Sequence, residues 1–283
     1  MSKPGITTYL RPSSLEEAWS HVAPGDPTLR LLSGGADLTI HAPPEIATLV
    51  DVGRVLDRTI VNRPDGSIWM GAMATLTDVM EHPEIALLGG GVVPEMMVHV
   101  GNPLLRNFST IGGHVARGKL SDVVPVLLAL DTRIEFFDGE QQTALLQEYY
   151  DQGLHKLPHI VTGLSLPQLP ERSAAAFLRF ARTAFDFAIL NIACRVDLGR
   201  EQPDHVRIVL GATPRRSQRA SDAEAIIQEQ GLTSAAIQEA AVAARGEIWT
   251  GGGWVASSEY RSNLVEVLTR RCLQVVNERL ETP

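Results

Sequence analysis

Two glycine pairs and one carboxylate are the residues of this sequence whose types and spacing could do chemistry. Residues 102–122 read NPLLRNFSTIGGHVARGKLSD, with Gly112-Gly113 directly after Ser109-Thr110-Ile111 and Asp122 at the head of an apolar run. Far upstream, residues 30–37 read RLLSGGAD: an apolar strand, a small hydroxyl residue, a glycine pair, then polar Asp37. Adjacent glycines remove two Cβ atoms, which opens left-handed backbone angles and lets N–H groups press close to a bulky anion. Two such loops, each with a hydroxyl residue beside it, point to a diphosphate gripped from both sides. A tight turn, the commoner meaning of Gly-Gly, is the alternative at each loop taken singly. Neither G-x-G-x-x-G nor G-x-x-x-x-G-K-[ST] occurs at them, so a nucleotide must be held in another way.

The elements that must position these loops can be traced in order. Ser13-Ser14-Leu15-Glu16-Glu17 carries a hydroxyl with a carboxylate three residues on, a capping-box start for a helix to about residue 22. Residues 29–32 and 48–52 read as short strands, the first ending in the first glycine loop. Residues 60–61 and 68–70 flank a Pro64-Asp65-Gly66 turn and predict a hairpin, followed by a helix opened by Leu76-Thr77-Asp78. An apolar helix-like stretch follows Pro83 to Val98, and residues 121–130 fit a helix with Asp122 near its positive end and Pro125 in its first turn. Residues 133–137 and 160–166 supply further strands. Beyond PQLPERS at 167–173, residues 176–182, 188–197 and 206–211 predict a three-stranded meander, then helices at 222–230, 234–245 and 257–279. The last places Leu264, Leu268, Cys272, Val275 and Val276 along one stripe.

Composition narrows the function classes. At 283 residues, 44% apolar and 20% charged, the chain has length for two modest cores. Its net charge of -8 argues against nucleic acid, and the basic pairs Arg215-Arg216-x-x-Arg219 and Arg270-Arg271 are short, reading as solvated faces or partner contacts. No stretch has the length of a membrane span and the amino terminus lacks a secretory apolar core, so a cytoplasmic location is expected. Cys194 and Cys272 are the only cysteines and read as buried and reduced, too few to ligate an iron–sulfur cluster. The eight histidines give little support for a metal site. No Ser-His-Asp, Cys-His or paired-carboxylate constellation assembles, so no catalytic side chain is assigned and chemistry is expected from a cofactor.

SGGAD at 33–37 and LLRNFSTIGGHVA at 104–116, with GATPRRSQRASDAE at 211–224 and SSEYRSNLVEVLTRRCL at 257–273, resemble the FAD-binding medium subunit of the molybdenum hydroxylases, the xanthine dehydrogenase and carbon monoxide dehydrogenase family. The resemblance implies an α+β fold: a two-part FAD-binding domain of the PCMH/vanillyl-alcohol-oxidase type at 1–170 (subdomains about 1–56 and 57–170), then a smaller domain at 171–283 with a three-stranded antiparallel sheet and helices. It implies that FAD is held by Arg30, Leu31, Leu32, Ser33, Gly34, Gly35, Ala36 and Asp37 and by Thr110, Ile111, Gly112, Gly113 and His114, chiefly through backbone N–H groups on the diphosphate. Asp122 matches the acidic residue that accepts from the adenosine ribose, a plain helix N-cap being its other reading. Val161 matches a backbone position at the adenine end, and Ile111 is a candidate for ring contact, equally placed for packing. Departures from the family pattern are His114 where asparagine or aspartate is usual, a spacing to Asp122 one residue shorter than in xanthine dehydrogenase, Leu178 in place of a lysine with Arg179 or Arg182 as substitutes, and Phe187 near the flavin. The implied role is an oxidoreductase subunit passing electrons from an iron–sulfur subunit to NAD, a quinone or oxygen. Its implied partners are a molybdopterin-binding large subunit and a 2Fe-2S small subunit in a dimer of heterotrimers, a heterohexamer, with no nucleic acid or membrane. A stand-alone flavin reductase or oxidase, and a flavin-free scaffold subunit, are the alternatives.

Overall fold

A computed structural model describes residues 5–184, 186–212, 216–253 and 255–282. The chain divides into two compact units: Met1–Val79, Pro103–Arg117 and Asp131–Pro167 form one, and Met80–Asn102, Gly118–Leu130 and Gln168–Pro283 the other.

The first unit holds two sheets. Strands β1 (Thr8–Leu10), β2 (Leu29–Leu32) and β3 (Thr48–Asp51) pair in parallel, in the order β1-β3-β2. Helix α1 (Leu15–Val22) starts where the capping signal places it: Glu17 N–H donates to Ser14 Oγ at 3.1 Å, and Ser13 N–H to Glu17 Oε2 at 2.7 Å. Ala18 and Val22 of α1 pack with Val50, Val52 and Ile160 in a small core. The second sheet is antiparallel, in the order β4-β5-β8-β6-β7, built from β4 (Ile60–Asn62), β5 (Ile68–Gly71), β6 (Arg133–Phe137), β7 (Gln141–Leu145) and β8 (Ile160–Leu166). The β4–β5 turn closes on Gly66 at φ +80°, with Asp65 Oδ1 accepting from Ser67 N–H at 2.9 Å.

Short helices α2 (Leu38–His41), α3 (Leu76–Glu81), α6 (Pro103–Phe108), α7 (Ile111–Arg117) and α9 (Leu146–Asp151) lie on this chain order. Helix α7 is pinned by α9, whose Tyr150 hydroxyl donates to the Val115 carbonyl at 2.8 Å. His155 and His159, four residues apart, both pack around Tyr149, and the Tyr149 hydroxyl lies 2.6 Å from His159 Nε2.

The second unit is an antiparallel sheet in the order β12-β11-β10-β9, from β9 (Ser173–Phe180), β10 (Leu190–Leu198), β11 (Pro203–Gly211) and β12 (Gln218–Arg219). The expected three-stranded meander thus gains a two-residue edge strand. Helices α10 (Ser221–Gln230), α11 (Ser234–Glu247) and α12 (Ser258–Glu281) bury one apolar core with it, and Leu264, Leu268, Cys272 and Val276 of α12 form the stripe the spacing predicts. Cys194 and Cys272 are free and buried in that core.

This unit also takes in α4 (Pro83–Leu87), α5 (Val92–Met97) and α8 (Val123–Ala129). The apolar stretch after Pro83 is not one helix, because Gly89, Gly90 and Gly91 turn through φ +57°, +77° and +88°. A Cβ on Gly89 would lie 2.9 Å from Ala175 Cβ, so the break seats the chain on β9. The basic run expected at 215–219 is no solvated face at Arg219, which binds the buried carboxylate of Glu224; Arg215 lies outside the described residues.

Candidate functional site: a half-amide, half-hydroxyl cradle

The two glycine-bearing segments meet in the first unit. Ser33 Oγ and Thr110 Oγ1 lie 3.1 Å apart, and a Cβ on Gly34 would fall 1.6 Å from the Phe108 carbonyl oxygen. Only glycine permits that approach. Gly35 turns at φ +71°, and Asp37 closes the far end, its Oδ1 3.3 Å from Arg117 Nη1 and 3.0 Å from His41 Nδ1. Among the described residues, no hydrogen bond uses the N–H groups of Gly34, Gly35, Ala36 or Asp37. Four successive unspent donors on a half-buried loop make a concavity for an anion.

The second segment differs from the expectation. Gly112 and Gly113 sit inside helix α7 with no left-handed angle, and the N–H groups around them are spent. Ile111 donates to Ala74 O at 2.9 Å, Gly112 to Ala72 O at 3.1 Å, Gly113 to Thr110 Oγ1 at 3.2 Å and His114 to Thr110 O at 3.1 Å. Space, not backbone angle, requires these glycines: a Cβ on Gly112 would lie 2.7 Å from Ala72 Cβ, and one on Gly113 2.9 Å from Thr110 Oγ1. The cradle therefore has unspent amides and the Ser33 hydroxyl on the 33–37 side and the Thr110 hydroxyl and bare glycine on the other.

Four expected cofactor residues have their side chains engaged elsewhere. Arg30 folds back, Nη1 donating to Pro27 O at 2.9 Å and Leu29 O at 2.7 Å, and Leu31 packs against the α1 core. Leu32 lies under the loop, its Cδ1 3.3 Å from where a Gly35 Cβ would stand. Ile111 is 0% exposed, its side chain packed in the core. These residues build the platform on which the cradle rests. Val161 is buried in β8 beside a register shift, where Phe136 pairs with Val161 after Glu135 pairs with Gly163, leaving Thr162 as the extra residue of a bulge.

Asp122, in the second unit, precedes α8 without capping it. Ser121 Oγ takes the N–H groups of Val123 and Val124 at 3.1 and 3.3 Å, so the plain N-cap reading fails. The Asp122 carboxylate instead accepts from Asn191 Nδ2 at 2.5 Å and lies 3.7 Å from Arg179 Nε. Burial pushes its pKa above the ordinary carboxylate value, opposed by Asn191, then Arg179 and His99.

Residues 4–169 match the family model described as the FAD binding domain in molybdopterin dehydrogenase, and residues 175–276 that of the CO dehydrogenase flavoprotein C-terminal domain. The chain belongs to this flavoprotein family. It is 28% identical to the 6-hydroxypseudooxynicotine dehydrogenase complex subunit alpha of Paenarthrobacter nicotinovorans, over 96% of this chain and 94% of that one. It is 25% identical to a putative xanthine dehydrogenase FAD-binding subunit of Escherichia coli (strain K12), over 95% of each. In fold it is similar to a carbon monoxide dehydrogenase structure from Hydrogenophaga pseudoflava, with TM-score 0.86 at 23% identity, covering 98% of this chain and 99% of that one. As an FAD-binding medium subunit of the molybdenum hydroxylase family, the chain has residues that fit the cofactor. Four unspent amides suit an acidic diphosphate without a lysine, and the missing Cβ atoms leave its approach open.

The flavoprotein's departures from the family pattern find distinct places. Leu178 packs against the core of the second unit. Arg179 is engaged with backbone carbonyls, Nη1 donating to His99 O at 3.2 Å and Ala184 O at 3.3 Å, while Arg182 Nε donates to Asp186 at 2.9 Å. Neither is a loose cation. Phe187 is 55% exposed. No helix among the described residues is long and apolar enough to cross a membrane.

His114 carries a pH consequence. Burial, then the Arg117 charge, pushes its pKa down from 6.5 to about 4, with Asp37 opposing. Between those values the unfolded chain binds the proton and the folded one does not, so this stabilisation is complete above about pH 6.5 and shrinks as pH falls towards 4. His114→Gln is expected to flatten that slope, with a difference of ~2 kcal/mol in urea unfolding between neutral and mildly acidic pH. Parallel stability–pH curves for the two proteins would exclude it.

Sequence reasoning missed Arg117, Ser121 and Asn191. The one local signal for Asn191 was an amide between Leu190 and Ile192 in an apolar strand, since a polar group placed there needs a buried partner.

Proposed function

We propose that this chain is the last relay of a three-component molybdenum hydroxylase, taking electrons from an iron–sulfur subunit and passing them to an external acceptor of the NAD, quinone or oxygen class. The observation that carries the reading is the run of four unspent N–H groups at 34–37, seated against Ser33 and Thr110 hydroxyls in a chain that matches the flavoprotein family through both parts. Bound FAD supplies the redox chemistry. The chain's residues bind and orient it: amides 34–37 and the Ser33 and Thr110 hydroxyls face the diphosphate, Gly113 leaves the approach clear, and Asp122 accepts from the adenosine ribose. With His114 neutral in the folded chain, the amides supply the positive ends for the diphosphate.

The partners are a molybdopterin-binding large subunit and a 2Fe-2S small subunit, assembled as a dimer of heterotrimers. Two buried free cysteines cannot ligate a cluster, so the electrons arrive from another chain. Purification from the native host, with a visible spectrum and metal analysis, tests this. FAD co-purifying with molybdenum and iron is the expected result. A colourless chain in the complex, or FAD without metals and substrate turnover by the isolated chain, overturns it.

A further inference from the structure

Asn191 is fully buried in β10, flanked by Leu190 and Ile192. Its Nδ2 donates to Asp122 Oδ1 at 2.5 Å and to the Ser121 carbonyl at 3.1 Å. With the amide so turned, Asn191 Oδ1 is buried and, among the described residues, has no donor. An unmet buried acceptor costs ~1–3 kcal/mol, which an aliphatic residue in this apolar setting would avoid. The strand opposite is shaped for the same amide: Gly211 pairs with Asn191 in register, and a Cβ there would fall 2.3 Å from Asn191 Oδ1 and 2.5 Å from Pro125 Cγ. Two positions are thus held against local stability.

What they secure is the Asp122 carboxylate. Helix α8 does not need it, because Ser121 does the capping. Arg179 Nε, 3.7 Å from Oδ2, makes no hydrogen bond, so among the described residues Oδ1 is held by Asn191 while Oδ2 accepts none. We propose that Asn191 is a positioning residue, fixing Asp122 through Oδ1 so that Oδ2 stands as the acceptor for the hydroxyl pair of a ribose. The inference rests on the reading of Asp122 as the ribose acceptor. The charged groups around Asp122 are Arg179 from β9 and His99 beyond α5, with Glu95 of α5 acting in turn on His99. Asn191 is foremost among the groups holding the buried carboxyl down, so its loss raises the pH at which Asp122 takes a proton.

The test titrates the full chain, stripped of flavin, with FAD across mildly acidic to mildly alkaline pH. Loss of a hydrogen bond to a charged group corresponds to ~10–100-fold in affinity. Asn191→Leu is expected to weaken FAD by about that factor and to make the fall of affinity with decreasing pH set in at a higher pH than in the unaltered chain. In an Asp122→Asn background the same substitution is expected to add nothing. Should the leucine variant fail to fold, Asn191→Ser carries the same expectations. If Asp122→Asn weakens FAD but Asn191 variants keep the unaltered affinity and pH profile, the positioning role is overturned and the ribose reading stands. If Asp122→Asn has no effect, both fall.

Discussion

Gly34→Ala is expected to abolish flavin retention and to lower the melting temperature of the first unit. The new Cβ would stand 1.6 Å from the Phe108 carbonyl oxygen and 2.8 Å from its carbon. Both are backbone atoms, so no rotamer change relieves the clash and the 33–37 loop must lift away. That lift separates Ser33 from Thr110 and Asp37 from Arg117, which hold the two sides of the cradle together. Overpacking of this kind costs ~1–3 kcal/mol. The larger effect is on the cofactor, since the loop that carries the four unspent amides is displaced. Gly35→Ala is the internal control: at φ +71° it costs about 1 kcal/mol, and the nearest atom is the movable Leu32 Cδ1 at 3.3 Å. Flavin absorbance of the purified variants, with circular dichroism to verify folding, reads out the difference. A folded Gly34→Ala protein with full flavin content would remove the cradle from its assigned role.

Arg195→Met is expected to destabilise the second unit by ~3–5 kcal/mol, the cost of leaving one member of a buried ion pair alone. Arg195 and Asp197 are 5% and 4% exposed on one face of β10, with Nε donating to Oδ1 at 2.9 Å. Ser173 on the neighbouring strand donates to the same carboxylate at 2.5 Å, so Asp197 keeps one hydrogen bond but no countercharge. Melting is expected to fall by roughly 10 °C. The double variant Arg195→Met with Asp197→Leu is expected to recover most of that loss, because an apolar pair removes the stranded charge. A double variant no more stable than the single one would show that the pair's charges are not what matters.

How much of this was legible in the sequence depends on the range of the physical signal. The capping of α1, the Asp65-Gly66 turn and the stripe of α12 are set by residues within one or two turns of each other, and they form where the pattern places them. Three consecutive glycines at 89–91 carry a local breaker signal, but that Gly89 also makes room for Ala175, far along the chain, was not legible. Asp122 shows the same limit. Its position ahead of α8 reads as a cap, yet Ser121 takes that role and the carboxylate answers to Asn191, 69 residues away.

The sequence by itself determined the capping of α1, the Asp65-Gly66 turn, the stripe of α12 and, through contiguous motifs, the family and its cofactor, since amides on a short loop need only local residues to exist. Only the tertiary structure decided which of those amides are unspent, why Gly112 and Gly113 are glycines, and that 80–102 and 118–130 pack with the carboxy-terminal sheet. A missing Cβ looks the same in the sequence whether it serves a turn or a close approach. What it makes room for is a neighbour brought in by packing, and packing joins residues such as Ser33 and Thr110 across 77 positions.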